Sequence, residues 1–136
     1  MSSGYSGTPL AKKLGIKEGF VVLTVDAPEN YLELLEPMPL NTVVTTTPKS
    51  NLDFVHFFTN SREDLFRGLA LYKNLIKQDG MIWVSWYKKA ARLPTEITED
   101  TVRDAALPLG LVDVKVCAVD GRWSGLKLVI RKENRG

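Results

Sequence analysis

The residues best suited to chemistry are Ser85-Trp86-Tyr87-Lys88-Lys89, followed shortly by Thr95. Two ammonium groups beside aromatic walls and hydroxyls make a set that can hold a small anion, such as a phosphate or carboxylate. Acting on a bound substrate, the same lysines would stabilise negative charge as it develops. A second group is Asp26-Ala27-Pro28-Glu29-Asn30, at a junction from strand to helix. In nucleotide-binding α/β domains that junction is rich in Gly, which lets backbone approach a phosphate or sugar closely. Asp, Pro and Asn close that approach, and two carboxylates repel an anion. The candidate ligand contacts are therefore Asp26, Asn30, Ser85, Trp86, Lys88, Lys89 and Thr95.

The remaining reactive side chains point to structure. His56 is the single histidine and lies between Val55 and Phe57 in an apolar run, as a hydrogen-bonded core histidine would. One His and one Cys cannot make a tight His/Cys metal site. Cys117 falls on the polar face of an alternating strand with no base beside it to form a thiolate. Lys127 lies inside a strand and needs a partner, for which Asp113 is placed. Thr98 with Glu99 and Asp100 reads as ordinary helix capping. In Trp123-Ser124-Gly125, a Gly within a strand marks a close approach by a neighbour. No G-x-S-x-G elbow, P-loop or H-E-x-x-H occurs. No catalytic residue, metal or cofactor follows from the residues.

The chain has 136 residues, 44% apolar and 25% charged, which fits one folded domain with a full core. Its net charge is +2, with the signs interspersed and no basic cluster interleaved with aromatics, so nucleic acid is disfavoured as a partner. A single cysteine allows no internal disulfide. Residues 1–4 lack the pattern of a signal peptide, and no apolar run reaches a membrane-spanning length. The expectation is a cytoplasmic chain with no membrane association.

These side chains need elements to carry them. Thr8 is placed to cap a short helix, with Pro9 in its first position and Gly15 beyond its end. Strands are predicted at residues 20–25, 42–46, 52–59 and 81–87. A helical turn is predicted over 29–36. Ser61 and Asp64 open the best helix, whose stripe is Leu65, Leu69, Tyr72 and Ile76, ended by Asp79-Gly80. Another helix runs from Thr98 to near Pro108. The tail is a hairpin turning at Asp120-Gly121, with an odd-numbered loop and a bulge at Gly121. That register sets Val114 opposite Leu126 and Asp113 opposite Lys127. Alternating strands and helices predict an α/β three-layer sandwich, a mostly parallel, Rossmann-like sheet with a C-terminal antiparallel hairpin.

On this pattern, residues 52–132 resemble the second half of a class I S-adenosylmethionine-dependent methyltransferase. The matching features are LDFVHFF, an amphipathic helix, MIWVSW, a further helix, Gly110-Leu111-Val112 and the hairpin. The resemblance implies that the final strand inserts beside MIWVSW. The family's loop glycines would fall near Asp26, Pro28 and Asn30, and Thr45-Thr46-Thr47-Pro48 lacks the acidic residue that binds ribose. The strings GYSGTPLAKKLGIKEG, WVSWYKKA, LPTEITED and ALPLGLVDVKVCAVDGRWSGLKLV also resemble a family of small bacterial proteins, a domain of unknown function. That second resemblance implies no activity.

The function expected from these readings is a non-catalytic binding or interaction module on a degenerate methyltransferase-like scaffold. Its ligand would be a small anion or nucleotide-like molecule near Val25–Asn30 and Trp86–Lys89. The alternatives are an enzyme acting on a small anionic substrate through Lys88 or Lys89, and a divergent methyltransferase. A subunit that docks on a protein partner through an apolar patch around residues 31–38 is a further reading. Oligomeric state stays open.

Overall fold

The computed structural model describes residues 8–135, so residues 1–4 and the start of the GYSG string lie outside it. Among the described residues there are four α-helices, most with ends set by local chemistry. Helix α1 (Leu10–Leu14) closes at Gly15, whose φ of 93° lies in the left-handed region and whose N–H donates to the carbonyls of Ala11 and Lys12. Pro9 stands at its N-cap, one place earlier than the sequence suggested. Helix α2 (Tyr31–Leu35) is a short turn of helix. Helix α3 (Arg62–Tyr72) starts where the Ser61 hydroxyl accepts from the Asp64 N–H at 3.2 Å. Helix α4 (Glu99–Ala106) starts with a reciprocal box, each of Thr98 and Thr101 accepting from the other's backbone N–H.

The strands are β1 (Val21–Val25), β2 (Val43–Thr45), β3 (Leu52–Phe58), β4 (Ile76–Tyr87), β5 (Leu111–Ala118) and β6 (Trp123–Ile130). They form one sheet in the order β2-β1-β3-β4-β6-β5. β1 to β4 run parallel, and β6 lies antiparallel between β4 and β5. The final strand therefore inserts beside MIWVSW, as the resemblance implied. Leu65 and Leu69 of α3 and Val102 of α4 pack with Val55, Ile82 and Val84 on one face. Leu14 of α1 and Leu35 of α2 pack with Phe54, Phe58 and Trp83 on the other. This is the three-layer sandwich predicted. Among the described residues, no helix is long and apolar enough to cross a membrane.

Two local readings are corrected. Helix α3 ends at Tyr72, and Ile76, placed on its stripe by spacing, opens β4 opposite Leu52. The Leu75 N–H donates to Tyr72, and the Leu75 carbonyl accepts from Leu52, so sheet pairing begins at once. Asp79-Gly80 is no helix stop. It belongs to an irregular opening of β4, where the register jumps from Leu52↔Ile76 to Phe54↔Met81. The hairpin also differs. Val119 N–H bonds the Trp123 carbonyl, leaving the odd loop 120–122, as expected. The bulge sits between Asp113 and Lys115 rather than at Gly121, so Val116 faces Leu126 and Lys115 faces Lys127. Asp113 bonds Arg103 at 3.1 Å and does not partner Lys127.

Asp53 ties the amino ends of three strands. Its carboxylate accepts from the Val21 N–H at 2.8 Å and pairs with Lys77 at 3.0 Å. Gly68 marks the closest approach of α3 to the sheet, where an added Cβ would lie 2.5 Å from the Phe57 ring. That ring is buried and packed edge-on against Tyr72, so it has nowhere to retreat. Gly68→Ala in a free helix gains about 1 kcal/mol. Here it is expected to cost about 1–3 kcal/mol net, through overpacking, in urea unfolding. An unchanged midpoint would show that α3 can shift away.

Candidate functional site

The strand order reverses at β1, since the chain goes from β1 out to β2 and back to β3 on its other side. In open α/β sheets a crevice forms outside the carboxyl ends of the strands at such a point. A cleft of about 600 Å³ lies there, at the ends of β1 and β2. Its walls include Thr24, Asp26, Pro28, Glu29, Thr46 and Tyr72. Asp26 takes the turn with a φ of 56°, the left-handed conformation that a Gly would adopt freely. The Tyr31 N–H at the start of α2 donates to the Pro28 carbonyl at 3.0 Å, so the loop closes on itself. Asn30, exposed at the α2 N-cap, makes no side-chain cap bond and does not line the cleft. Burial, and then the Asp26 carboxylate, push the Tyr72 phenol above its ordinary value.

The class I resemblance implies an adenosyl cofactor at this loop. Side chains stand at all three positions where the family has glycine, and a helix-start N–H is already bonded. The residues present do not form a backbone cradle for that group.

A second cleft, of about 790 Å³, opens at the carboxyl end of β4. Trp86, Lys88, Lys89 and Thr95 line it, together with Glu99 and Arg103. Trp86 is mostly core, and the Thr95 hydroxyl accepts from the Ile97 N–H. Arg103 is held by Glu99 at 2.7 Å, Asp100 at 3.0 Å and Asp113 at 3.1 Å. Those acids are thus engaged, and Lys88 and Lys89 are the cations left facing the cleft. The linings of the two clefts share no residue, so the loop candidates and the lysine candidates are not brought together.

Ser85 lines neither cleft. Alternation along β4 turns it to the face of Trp83, where it is fully buried. There the His56 ring bonds Ser85 Oγ through Nε2 at 2.8 Å and the Tyr31 hydroxyl through Nδ1 at 2.7 Å. Burial pushes the His56 pKa down to about 3 and the Tyr31 phenol up. A serine beside a histidine has the spacing of an activated nucleophile. Neither group has any exposed surface, and a ring this hard to protonate is a poor base, so the set acts in packing. The core histidine was legible in the sequence. Its two partners were not, although Ser85 shares the period-2 face of the neighbouring strand. Thr24, Thr46 and Tyr72 were also missed, and position at a strand's carboxyl end was the available signal for the first two. Glu29 was legible as a carboxylate of the loop but was not counted among the ligand contacts. Cys117 is half-buried against the α1 face, and its thiol donates to the Ala118 carbonyl.

No protein-family model matches the chain, and no curated protein sequence does. Solved structures do match. One is a SAM-dependent methyltransferase from Aquifex aeolicus, 18% identical, with a TM-score of 0.64 over 89% of this chain and 88% of that one. Another is an S-adenosylmethionine-dependent methyltransferase from Clostridium acetobutylicum, 7% identical, with a TM-score of 0.61 over 89% and 87%. A third is magnesium protoporphyrin IX methyltransferase from Synechocystis, 12% identical, with a TM-score of 0.58 over 89% and 74%. At such identities the likeness is one of architecture: the chain has the Rossmann-like fold of class I methyltransferases.

Proposed function

We propose that this chain is a binding module on a methyltransferase-type sheet, and that its ligand is a positively charged small molecule of nucleoside size seated between β1 and β2. One observation carries the reading: Asp26 and Glu29 line a cleft that contains no cationic side chain. Threonine and tyrosine hydroxyls complete the wall. The volume suits one small ligand, and the charge favours a cation over the anion that the strand-end position first suggested.

A divergent S-adenosylmethionine-dependent methyltransferase is the second reading, favoured by the structural neighbours. The sulfonium and ammonium of that compound suit an acidic cleft, but side chains would have to hold it without the backbone cradle. Calorimetric titration with S-adenosylmethionine, S-adenosylhomocysteine and inorganic phosphate separates the cases. The cationic compound is expected to bind more tightly than its uncharged-sulfur analogue. Asp26→Asn with Glu29→Gln should weaken that binding roughly three- to tenfold, as expected for exposed charges. No response to the sulfonium compound in the wild-type chain would remove the cation reading. Methyl transfer to any acceptor would bring the enzyme reading forward.

A further inference from the structure

We propose that Lys17, Lys115 and Lys127 form a site for a small oxyanion, phosphate or a phosphate monoester, at the C-terminal end of α1. The site lies far along the sheet from the acidic cleft and is independent of it. Lys127 sits in the middle of β6, level with Trp83 of β4, on the face that α1 covers. Its Nζ lies 3.7 Å from the point where a Cβ on Gly15 would stand. Lys115 is its direct cross-strand neighbour in β5, and the Lys115 Nζ donates to the Lys13 carbonyl at 3.2 Å. Lys17 follows Gly15 by two residues.

Like charges directly opposite in a sheet are destabilising, and Lys127 is half-buried as well. Burial, Lys115 and Lys17 all push its ammonium below the ordinary lysine range, and no carboxylate offsets them. Among the described residues, none of the three lysines makes an ion pair. An oxyanion set among them supplies the missing acceptor and cancels the repulsion. Gly15 keeps the approach open, because a side chain there would crowd Met81 and lie over the Lys127 ammonium. The chain carries a net charge of only +2, which favours a small ion over a polyanion at this site.

Thermal unfolding of the full chain at fixed ionic strength tests this, with inorganic phosphate, glucose 6-phosphate and a short single-stranded DNA as probes and chloride as the control. Phosphate or the sugar phosphate is expected to raise Tm by about 5 °C at ten times its dissociation constant. The better of the two identifies free ion or monoester. Lys127→Met should abolish the rise, and Lys17→Gln, which leaves the sheet untouched, should weaken it roughly threefold or more. Lys49→Met, in the exposed loop before β3, should leave it unchanged. A wild-type Tm no higher in either phosphate or glucose 6-phosphate than in chloride overturns the proposal. So does a rise that persists in both Lys127→Met and Lys17→Gln. DNA binding at far lower concentration, with the same dependence on Lys127, would make the occupant a polyanion and also overturn it.

Discussion

Trp83→Ala is expected to destabilise the protein by about 3–5 kcal/mol, the range for removing a fully buried aromatic side chain. Trp83 has no exposed surface, and its indole N–H donates to the Leu14 carbonyl at 2.7 Å. Helix α1 is only five residues long, too short to persist without tertiary contacts. Its terminal carbonyls are met from the sheet, Leu14 by Trp83 and Lys13 by Lys115. Trp83→Phe keeps most of the packing and leaves the Leu14 carbonyl unpaired, at a cost of about 1–3 kcal/mol. Urea unfolding measures both. Amide exchange should show α1 losing protection first in the Phe variant. A Phe variant as stable as wild type, with α1 still protected, would mean that packing alone holds the helix.

The second large effect is a loss of stability in acid that traces to one ring. In the folded protein His56 takes a proton only near pH 3, while the unfolded chain binds one near pH 6.5. Between those values the unfolded state holds the extra proton, so stability falls as pH drops from about 6.5 toward 3. The contribution at neutral pH that is lost across this window is roughly 3–5 kcal/mol. His56→Gln can still bond Tyr31 and Ser85 but cannot titrate. Urea midpoints measured from pH 7 to pH 3 should therefore converge, with wild type above the variant at neutral pH and the gap closing in acid. Parallel curves would show that the imidazole is protonated in the folded state without penalty.

How far the sequence spoke depended on whether the signal was local. Ser61 and Thr98 announce their helices because a cap is chemistry between neighbours in the chain. LDFVHFF announces a doubly covered strand because no solvent face interrupts it, and it is β3. Ile76 misled because a spacing of four from Tyr72 is equally compatible with the helix stripe and with the first residue of a buried strand. What decides it is a backbone bond between Leu52 and Leu75, a pairing across the fold. The hairpin register failed for a related reason. Pairing Lys127 with Asp113 is the cheaper choice for two strands alone, but Arg103 of α4 already claims that carboxylate. At the candidate site, strand-end position was legible, and so were the lysines of the second cleft. The separation of the two clefts was not, because it depends on which strands lie between β1 and the far side of β4.

The displaced bulge between Asp113 and Lys115 bears on how the molecule behaves among its own copies. β5 is an edge strand, and Val114 and Val116 are each about half exposed. A straight strand of that composition would offer a continuous ladder of open N–H and C=O groups to a neighbouring edge. The bulge breaks that ladder into two short runs, and Lys115 sets a charge beside the break. At the opposite margin β2 offers only three residues. The sheet is finite by construction at both ends, which guards a concentrated solution of this protein against open-ended stacking into fibres.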